Sequence, residues 1–338
     1  MNSETGKAIE QPIAGAGSAR RNLIYSVLTI VLVLVLGLGV AEGILRVKNL
    51  SMQNYDIEMW RYARELKKRS EDPLLGHEHI PNRQAVLQSV DIRINERGLR
   101  GGPIEPLQPG QRRILFLGGS ITLGWGVPED KITTSLIQQK FAADGKRVQV
   151  LNAGVGNYNA ERYCELFFTR LKDLKPTDIV VHYFLRDAEK LDPGGGNFLL
   201  RHSELAVTVW IAKNRLFGPS GPNVLEDHYK RVYNPDQPGY QAMLSSLRKL
   251  ADYAKANNVK VTMAMVPDVH NLEHYPFGWI HSRMADVARE MGFDYVDLLP
   301  SFTGLRPMDV WAMPGDPHPN ALGHKLMADT IYPVLNHS

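Results

Sequence analysis

Three residue types that cooperate in acyl transfer lie at two distant points of the sequence. Ser120 follows Gly118 and Gly119 directly, while Asp316 and His318 lie near the C-terminus in the stretch Asp-Pro-His-Pro. In acyl transfer a hydroxyl attacks an ester carbonyl, a histidine takes the hydroxyl proton, and a carboxylate orients that histidine. We therefore take Ser120 as candidate nucleophile, His318 as candidate base and Asp316 as the acid that orients the base.

The two prolines favour a contact between the side chains of Asp316 and His318. Each residue precedes a proline, and a residue in that position is pushed out of the helical region into an extended conformation. Extended residues two positions apart project to the same side, so the Asp316 carboxylate is expected to hold one ring nitrogen of His318. Ser120 taken alone is better explained as an ordinary helix N-cap, so its neighbours in the fold must decide its role, and His324 is interpreted as structural.

Further polar residues follow two other predicted strands. The stretch Asn-Ala-Gly-Val-Gly156-Asn157 is a glycine-rich turn, and Arg186 and Asp187 follow the next strand. Gly156, Asn157 and Arg186 are candidates for holding an oxyanion or the substrate, because backbone amides and a guanidinium are strong donors. The arginine is equally suited to filling the oxyanion hole. Asp187 is expected to cap a helix or form an ion pair.

Strand-like and helix-like stretches alternate from residue 112 onward. Strands are expected at 114–118, 148–154, 178–184, 259–267 and 293–300, and helices near 129–143, 160–174, 238–257, 281–291 and 319–332. Continuous apolar strands are typical of a parallel sheet that helices cover on both faces. The pattern predicts a three-layer α/β/α domain over residues 112–338, in which the candidate residues gather at the carboxyl ends of the strands.

The N-terminal part of the chain contains a long apolar run. The residues from 23 to 40 carry no charge, and the run extends to about residue 45 if Glu42 lies at the membrane rim. We expect a cytoplasmic tail at 1–22, a transmembrane anchor at 23–45 and an exported domain that is periplasmic or otherwise extracytoplasmic. The alternative is a cleaved signal peptide with Gly39 and Ala41 near the cleavage site.

Residues 46–111 are expected to form a membrane-proximal helix, a strand and a linker. The helix is predicted from apolar residues at helical spacing, namely Met52, Tyr55, Met59, Tyr62 and Leu66. It either contacts the membrane or another copy of the chain, or packs on its own domain, which is the favoured interpretation. The strand is predicted around Val90, Ile92 and Ile94, and the linker at 101–111.

Composition excludes several classes of function. The chain has 338 residues and a single cysteine, Cys164, which excludes a disulfide framework and any site with several cysteine ligands. Its 39 basic and 36 acidic residues are too balanced for a nucleic-acid partner. We expect no metal and no cofactor.

The segment between Asp187 and Tyr240 is longer than a usual connection between a strand and a helix. It includes the apolar stretch LAVTVWIAKNRLF, which is interpreted as a helix packed on the domain, with a lid helix or a membrane-facing patch as alternatives. Four aromatic residues fall near the strand ends and form either a sugar platform or part of the core: Trp125, Tyr158, Phe184 and Trp311.

Four sequence blocks resemble those of the SGNH (GDSL-type) hydrolase superfamily. The blocks are GGSIT, NAGVGNYN, FLRD and DPHPNALGH, in this order and at these distances, over about residues 112–336. The stretch INERGLRG before them resembles the lead-in of membrane-anchored bacterial members. The resemblance implies a flavodoxin-like parallel sheet and metal-free hydrolysis or transfer of esters of lipids, acylated sugars or polysaccharides. It places the nucleophile on Ser120, the base on His318, the acid on Asp316 and an oxyanion donor on the turn Gly156-Asn157.

The sequence departs from the family pattern at several positions. Gly119 replaces the aspartate before the nucleophile, the usual Asp-x-x-His is shortened to Asp-x-His, Asn157 replaces a glycine, and Arg186 replaces the asparagine that helps hold the oxyanion. Loss of one such donor costs about 10²–10³ in rate, so we expect a slowed and still active serine ester hydrolase. The alternatives are an O-acyltransferase in polysaccharide modification and a non-catalytic scaffold or binding protein. The expected partners are the membrane and an acylated small molecule, lipid or glycan.

Overall fold

The computed structural model describes residues 16–49, 55–191, 198–218, 221, 223–314 and 316–336. Its strands are β1 Lys67–Arg69, β2 His77–His79, β3 Arg83–Leu87, β4 Val90–Ile94, β5 Arg112–Gly118, β6 Val148–Gly154, β7 Asp178–Tyr183, β8 Lys260–Met265, β9 Asp294–Asp297, β10 Trp311–Met313 and β11 Asp316–Pro319. Its α-helices are α1 Ala16–Asn49, α2 Tyr55–Glu65, α3 Ser120–Leu123, α4 Thr133–Ala143, α5 Ala160–Leu166, α6 Phe198–His202, α7 Glu204–Phe217, α8 Val224–Val232, α9 Pro238–Asn257, α10 Gly278–Met291, α11 Pro307–Val310 and α12 Ala321–Asn336.

The centre of the fold is a five-stranded parallel sheet with the strand order β6-β5-β7-β8-β9. Numbered within the sheet, this is the flavodoxin-like order 2-1-3-4-5. Helices α5, α9 and α10 cover one face, where Tyr163, Leu247 and Met284 are buried in the core. Helices α4 and α12 cover the other face, with Phe141 and Ile331 in a second core cluster. The predicted three-layer α/β/α architecture is confirmed.

The element boundaries differ from the prediction where backbone geometry changes within an apolar stretch. The helix expected over 160–174 is α-helical only through Leu166, and it continues as a π-helical turn, Phe167–Leu171, and a 3₁₀ turn, Lys172–Leu174. Periodicity alone does not distinguish these geometries, because apolar residues still fall on one side. The last sheet strand is also shorter than expected, since the chain turns into a 3₁₀ helix at Leu299.

The segment before the sheet packs directly on it. Strands β3 and β4 form an antiparallel hairpin, and Val90, Ile92 and Ile94 are buried in alternation with exposed residues, as the sequence pattern predicts. Helix α2 places Tyr62 against this hairpin and against Trp125, which follows α3. Helix α2 and the hairpin therefore pack against the segment that follows β5.

Helix α1 contains the apolar run and is, among the described residues, the helix long and apolar enough to cross a bilayer. Near its C-terminal end the Glu42 carboxylate accepts hydrogen bonds from the Ser203 hydroxyl and from the backbone N–H groups of Glu204 and Leu205. These contacts join the apolar helix to the start of α7. The first part of the predicted tail, residues 1–15, and Met52 of the predicted membrane-proximal helix lie outside the described residues.

Candidate active site

Ser120 lies at the tight turn from β5 into α3. Its neighbour Gly118 must lack a side chain, because a Cβ there would lie 2.0 Å from Thr122 Oγ1 and 2.9 Å from the carbonyl oxygen of His182. Gly119 approaches the carbonyl of Tyr158 closely, since a Cβ would lie 3.2 Å from that oxygen. The two glycines therefore let the strand turn directly into the helix, and Ser120 becomes the first residue of α3.

The structure brings Ser120, His318 and Asp316 together. His318 Nε2 lies 2.8 Å from Ser120 Oγ, and His318 Nδ1 lies 2.6 Å from Asp316 Oδ1. Residues 316–319 form strand β11, so the extended conformation predicted from the two prolines is present. The Asp316 Oδ1 atom also accepts the backbone N–H of His318 at 3.1 Å. This geometry suits a serine hydroxyl that gives up its proton to an imidazole.

The Asp316 carboxylate is fully buried and held from its other side by two distant residues. Gln88 Nε2 donates to Asp316 Oδ2 at 2.7 Å, and Trp125 Nε1 donates to the same oxygen at 3.2 Å. Burial alone would raise the pKa of Asp316, but the hydrogen bonds from His318 and Gln88 outweigh burial and keep this pKa below its ordinary value. The carboxylate is thus kept ionised beside the histidine.

The glycine-rich turn after β6 is held by the segment that precedes the sheet. The Gly156 N–H donates to Tyr62 Oη at 2.9 Å, and the Gly156 carbonyl accepts from His77 Nε2 at 3.0 Å. A Cβ at Gly156 would lie 2.5 Å from the Tyr62 ring, so glycine is required there. Because its N–H is already used, Gly156 is not free to hold an oxyanion as predicted.

Asn157 is the other predicted donor of this turn, and its backbone differs from that of Gly156. It adopts a left-handed conformation with φ of 67°, which asparagine tolerates better than most residues. Within the described part of the chain its N–H has no hydrogen-bond acceptor, and the residue lines the same cavity as Ser120. Asn157 is therefore the donor that remains available in this turn.

Arg186 and Asp187 follow β7 and have different surroundings. The Arg186 side chain is half exposed, lines the cavity and pairs with Glu189 at 3.2 Å between Nε and Oε2. Asp187 is buried and accepts the backbone N–H of Phe184 at 3.1 Å, which is the capping role predicted for it. Burial raises the pKa of Asp187 to about 8. Arg186 therefore supplies a fixed positive charge to the cavity, whereas Asp187 belongs to the backbone turn.

A cavity of about 430 Å³ opens at the carboxyl ends of the strands, and its lining includes Ser120, Asn157, Arg186, Asp187 and His318. Its walls also contain residues that the sequence patterns did not single out for the site: Tyr55, Met59, Leu225, His228, Tyr229, Asp268 and His270. Tyr55 of α2 faces the histidine, with 5.6 Å between the ring centroids of Tyr55 and His318. Helix α8 supplies a wall of the cavity, whereas the stretch LAVTVWIAKNRLF forms α7, which contacts α1 and α2.

The predicted aromatic platform is divided between core and site. Trp125 is buried and donates to Asp316, so it belongs to the support of the carboxylate. Tyr158 and Phe184 line the cavity, and Trp311 lies beside His270 with 6.2 Å between ring centroids. His324 is buried and its Nδ1 accepts the Thr133 N–H at 3.1 Å, in agreement with a structural role.

The sequence contains a pattern that indicates one pair of cavity residues not predicted above. Asp268-Val-His270 repeats the Asp-x-His spacing of residues 316–318, and it too follows a predicted strand. Gln88 had no such signal, because it lies 228 positions before Asp316 in the chain.

The fold and the site geometry define an α/β/α protein with a serine, a histidine and an aspartate at the carboxyl ends of a flavodoxin-like sheet. The sequence model of the GDSL-like Lipase/Acylhydrolase family matches residues 116–326. The chain therefore belongs to this family and to the SGNH hydrolase superfamily, and this membership supports ester hydrolysis as its class of chemistry.

Solved structures similar to this chain include several esterases. TesA is 15% identical with a TM-score of 0.44, and the match covers 67% of this chain and 99% of TesA. The psychrotrophic esterase EstA from Pseudoalteromonas sp. is 16% identical with a TM-score of 0.42, covering 67% of this chain and 97% of EstA. An acetyl-xylooligosaccharide esterase from Geobacillus is 14% identical with a TM-score of 0.44, covering 65% of this chain and 92% of that protein. A search of curated proteins finds no significant match.

Proposed function

We propose that this protein is a membrane-anchored serine ester hydrolase that acts on an O-acyl ester, with Ser120 as nucleophile, His318 as general base and Asp316 as the acid that orients His318. The observation that carries this proposal is the continuous hydrogen-bonded row from Ser120 Oγ through His318 to Asp316, with distances of 2.8 Å and 2.6 Å. The row ends in a carboxylate whose pKa is kept below its ordinary value.

Acylation of Ser120 follows from this arrangement. The Ser120 hydroxyl proton passes to His318 Nε2 as Oγ forms a bond to the ester carbonyl carbon, and the carbonyl electron pair moves onto oxygen. The N–H groups of Ser120 and Asn157 are the candidate donors to this oxyanion, and the Arg186 guanidinium adds a positive charge. The bond to the alcohol then breaks, and the alcohol oxygen takes the proton from His318. Asp316 stabilises the imidazolium throughout.

The acyl group leaves Ser120 by the reverse sequence of steps. His318 takes a proton from water, the resulting hydroxide attacks the acyl carbon, and the Ser120 oxygen regains the proton from His318. A sugar hydroxyl in place of water gives acyl transfer by the same residues, which is the O-acyltransferase alternative. Product analysis with and without an added oligosaccharide distinguishes the two, because transfer forms a new sugar ester in place of the free acid.

A fluorophosphonate probe tests the proposal on the full-length protein in detergent. The wild-type protein should be labelled, and Ser120→Ala should not, because the probe bonds to an activated serine oxygen. Ser282→Ala is a matched control, since Ser282 is an exposed serine on α10, and it should be labelled as the wild type is. Absence of labelling in the wild type would contradict the proposal and favour a non-catalytic scaffold.

We also propose that α1 anchors the protein in the bacterial inner membrane with its N-terminus in the cytoplasm and the sheet domain in the periplasm. The apolar residues of α1 are exposed along its length, and Arg20 and Arg21 precede the apolar run. A membrane-impermeant maleimide tests the orientation, because the native Cys164 is buried. Lys255→Cys on the exposed surface of α9 should be labelled from the periplasmic side of intact cells. Labelling only after lysis would contradict this orientation.

A further inference from the structure

A second Asp-x-His pair lines the cavity that contains Ser120. His270 Nδ1 lies 2.8 Å from Asp268 Oδ1, and the backbone N–H of His270 donates to the same oxygen at 2.9 Å. The corresponding distances in the first pair are 2.6 Å and 3.1 Å. The Asp268 side chain is 4% exposed, whereas that of His270 is 49% exposed. A buried carboxylate therefore holds a half-exposed imidazole that lines the cavity.

A third histidine–aspartate pair shows what a purely structural pair is like in this protein. His281 Nδ1 lies 2.7 Å from Asp297 Oδ1, and His281 Nε2 lies 2.7 Å from Tyr275 Oη, so both ring nitrogens are used. In the first pair His318 Nε2 contacts Ser120. Within the described ranges of the chain, His270 Nε2 has no hydrogen-bond partner. Of these three histidines, His270 is the one that lines the cavity and keeps a ring nitrogen without a partner among the described residues.

The second pair lies on the same side of the site as His318. Trp311 Nε1 donates to the carbonyl of Val269 at 2.8 Å, and Trp311 pairs in the β10–β11 ladder with Pro319, the residue after His318. Asn157 follows β6 on one side of β5, whereas the segment 268–270 follows β8 on the other side. The cavity thus has an oxyanion side and a side shared by the two histidines.

The alcohol part of the ester must lie on the histidine side. The leaving oxygen takes its proton from His318 Nε2, so the group attached to that oxygen lies next to this histidine during the reaction. We propose that the His270–Asp268 pair is the subsite for the alcohol part of the ester, and that this alcohol is a sugar or another polyol, one of whose hydroxyl groups bonds to His270 Nε2. A simple alcohol has no second hydroxyl to offer. The inference rests on the proposed function and adds the substrate class to it.

The test compares two acetate esters with the full-length protein in detergent. One is 4-nitrophenyl acetate, whose alcohol has no neighbouring hydroxyl, and the other is a mono-O-acetylated methyl glycoside. His270→Asn should lower kcat/KM for the glycoside about 10- to 100-fold more than for the aryl ester, because a hydrogen bond to a charged or carboxylate-paired group is lost. The loss should appear mainly in KM, since the contact is to a part of the substrate that does not react.

His274→Asn is the matched control. His274 is an exposed histidine on the same loop, four residues after His270, and it does not line the cavity. It should leave the ratio of the two kcat/KM values unchanged. A panel of monodeoxy glycosides sharpens the result, because the analogue that lacks the contacted hydroxyl should be insensitive to His270→Asn.

Three outcomes would overturn the inference while leaving the proposed function intact. They are an unchanged ratio in His270→Asn, an equal loss on both esters, and a wild-type protein that cleaves the aryl ester but no acetylated glycoside. A wild-type protein that cleaves neither ester would instead overturn the proposed function, and the inference with it. Thermal unfolding of each variant shows whether a loss reflects misfolding.

Discussion

The segments 316–318 and 268–270 adopt the same local arrangement in two parts of the molecule. In each, an aspartate accepts a hydrogen bond from the backbone and one from the ring of the histidine two residues later. Their surroundings differ. Asp316 is also held by Gln88 and Trp125, and the His318 side chain is 12% exposed, against 49% for His270. A local spacing therefore makes the pair, and the tertiary contacts decide whether it faces a serine or the cavity.

Replacing each of the two histidines should give the largest difference in activity between the two pairs. His318→Asn should lower kcat for 4-nitrophenyl acetate by at least about 10⁴-fold, because His318 is the hydrogen-bond partner of Ser120 Oγ among the described residues and therefore the group that takes its proton. The loss of kcat in His270→Asn on this substrate should be at least about 100-fold smaller than the loss in His318→Asn, since the hydrogen bond to Ser120 comes from His318. Steady-state kinetics measure both. Losses of similar size would mean that the two pairs share one role.

Substitution of Arg186 tests whether this residue acts on the oxyanion side or on the histidine side of the cavity. Arg186→Leu removes its donors and its charge, and we expect a loss of about 10²–10³ in kcat, the usual cost of one oxyanion donor. The loss should be the same for the aryl ester and the glycoside, because the oxyanion forms in both reactions. Arg186→Asn, which restores the family residue, should recover part of the rate. A loss confined to the glycoside would place Arg186 with the alcohol subsite instead.

Gln88 tests whether the support of Asp316 distinguishes the two pairs. Gln88→Leu removes the 2.7 Å hydrogen bond to Asp316 Oδ2 and leaves Trp125 in place. We expect about a tenfold loss of kcat, because the carboxylate loses one of its donors and holds His318 less firmly. The acid limb of the pH–rate profile of Gln88→Leu should also move to higher pH, since the lost hydrogen bond helps keep the pKa of Asp316 low. Gln84→Leu is the control, because Gln84 is an exposed residue of β3, the strand that ends just before Gln88. An unchanged pH profile would remove Gln88 from this role.

The predicted architecture follows from local signals that the structure retains. Helix α9 has the predicted bounds of residues 238 and 257, since Pro238 begins it and Asn258 ends it in a left-handed conformation. The five sheet strands were predicted from nearly continuous apolar runs, because burial on both faces of a parallel sheet favours apolar residues at most positions. The backbone changes within 160–174 were not predictable, since a π-helical turn keeps the same apolar side.

The candidate site was predictable only where its residues carry their own local signal. Asp316 and His318 have one in the two prolines, and Ser120 has one in the preceding glycines. Tyr62 has none for its hydrogen bond to the Gly156 N–H, because its helical periodicity indicates burial without naming a partner. The second pair, at 268–270, had the spacing but lacked the prolines that made the first pair conspicuous. Long-range partners of this kind come from tertiary packing, which periodicity does not specify.

The smallest expected effect concerns the titration of the second pair. The hydrogen bond that the His270 ring donates to Asp268 favours the imidazolium and holds the pKa of His270 above its ordinary value of 6.5, although burial opposes this. By linkage, the resulting stabilisation is present in full below pH 6.5 and is lost as pH rises through the folded-state pKa. The wild-type protein should therefore have a higher free energy of unfolding than His270→Asn, and this advantage should be larger at pH 5 than at pH 9. The change in the advantage should be less than about 1 kcal/mol, because His270 is half exposed.

Histidine NMR of the full-length protein in detergent micelles checks the same titration directly. The resonance that disappears in His270→Asn should have its midpoint above 6.5, and Asp268→Asn should lower that midpoint. The first pair behaves in the opposite way, because the pKa of Asp316 is kept below its ordinary value. The stabilisation from Asp316 is therefore present above the ordinary carboxylate pKa, and it is lost as pH falls through the lowered pKa of Asp316. A His270 midpoint at or below 6.5 would mean that Asp268 does not hold the imidazolium. The pair would then offer the substrate a neutral ring nitrogen, which binds a hydroxyl group as an acceptor alone.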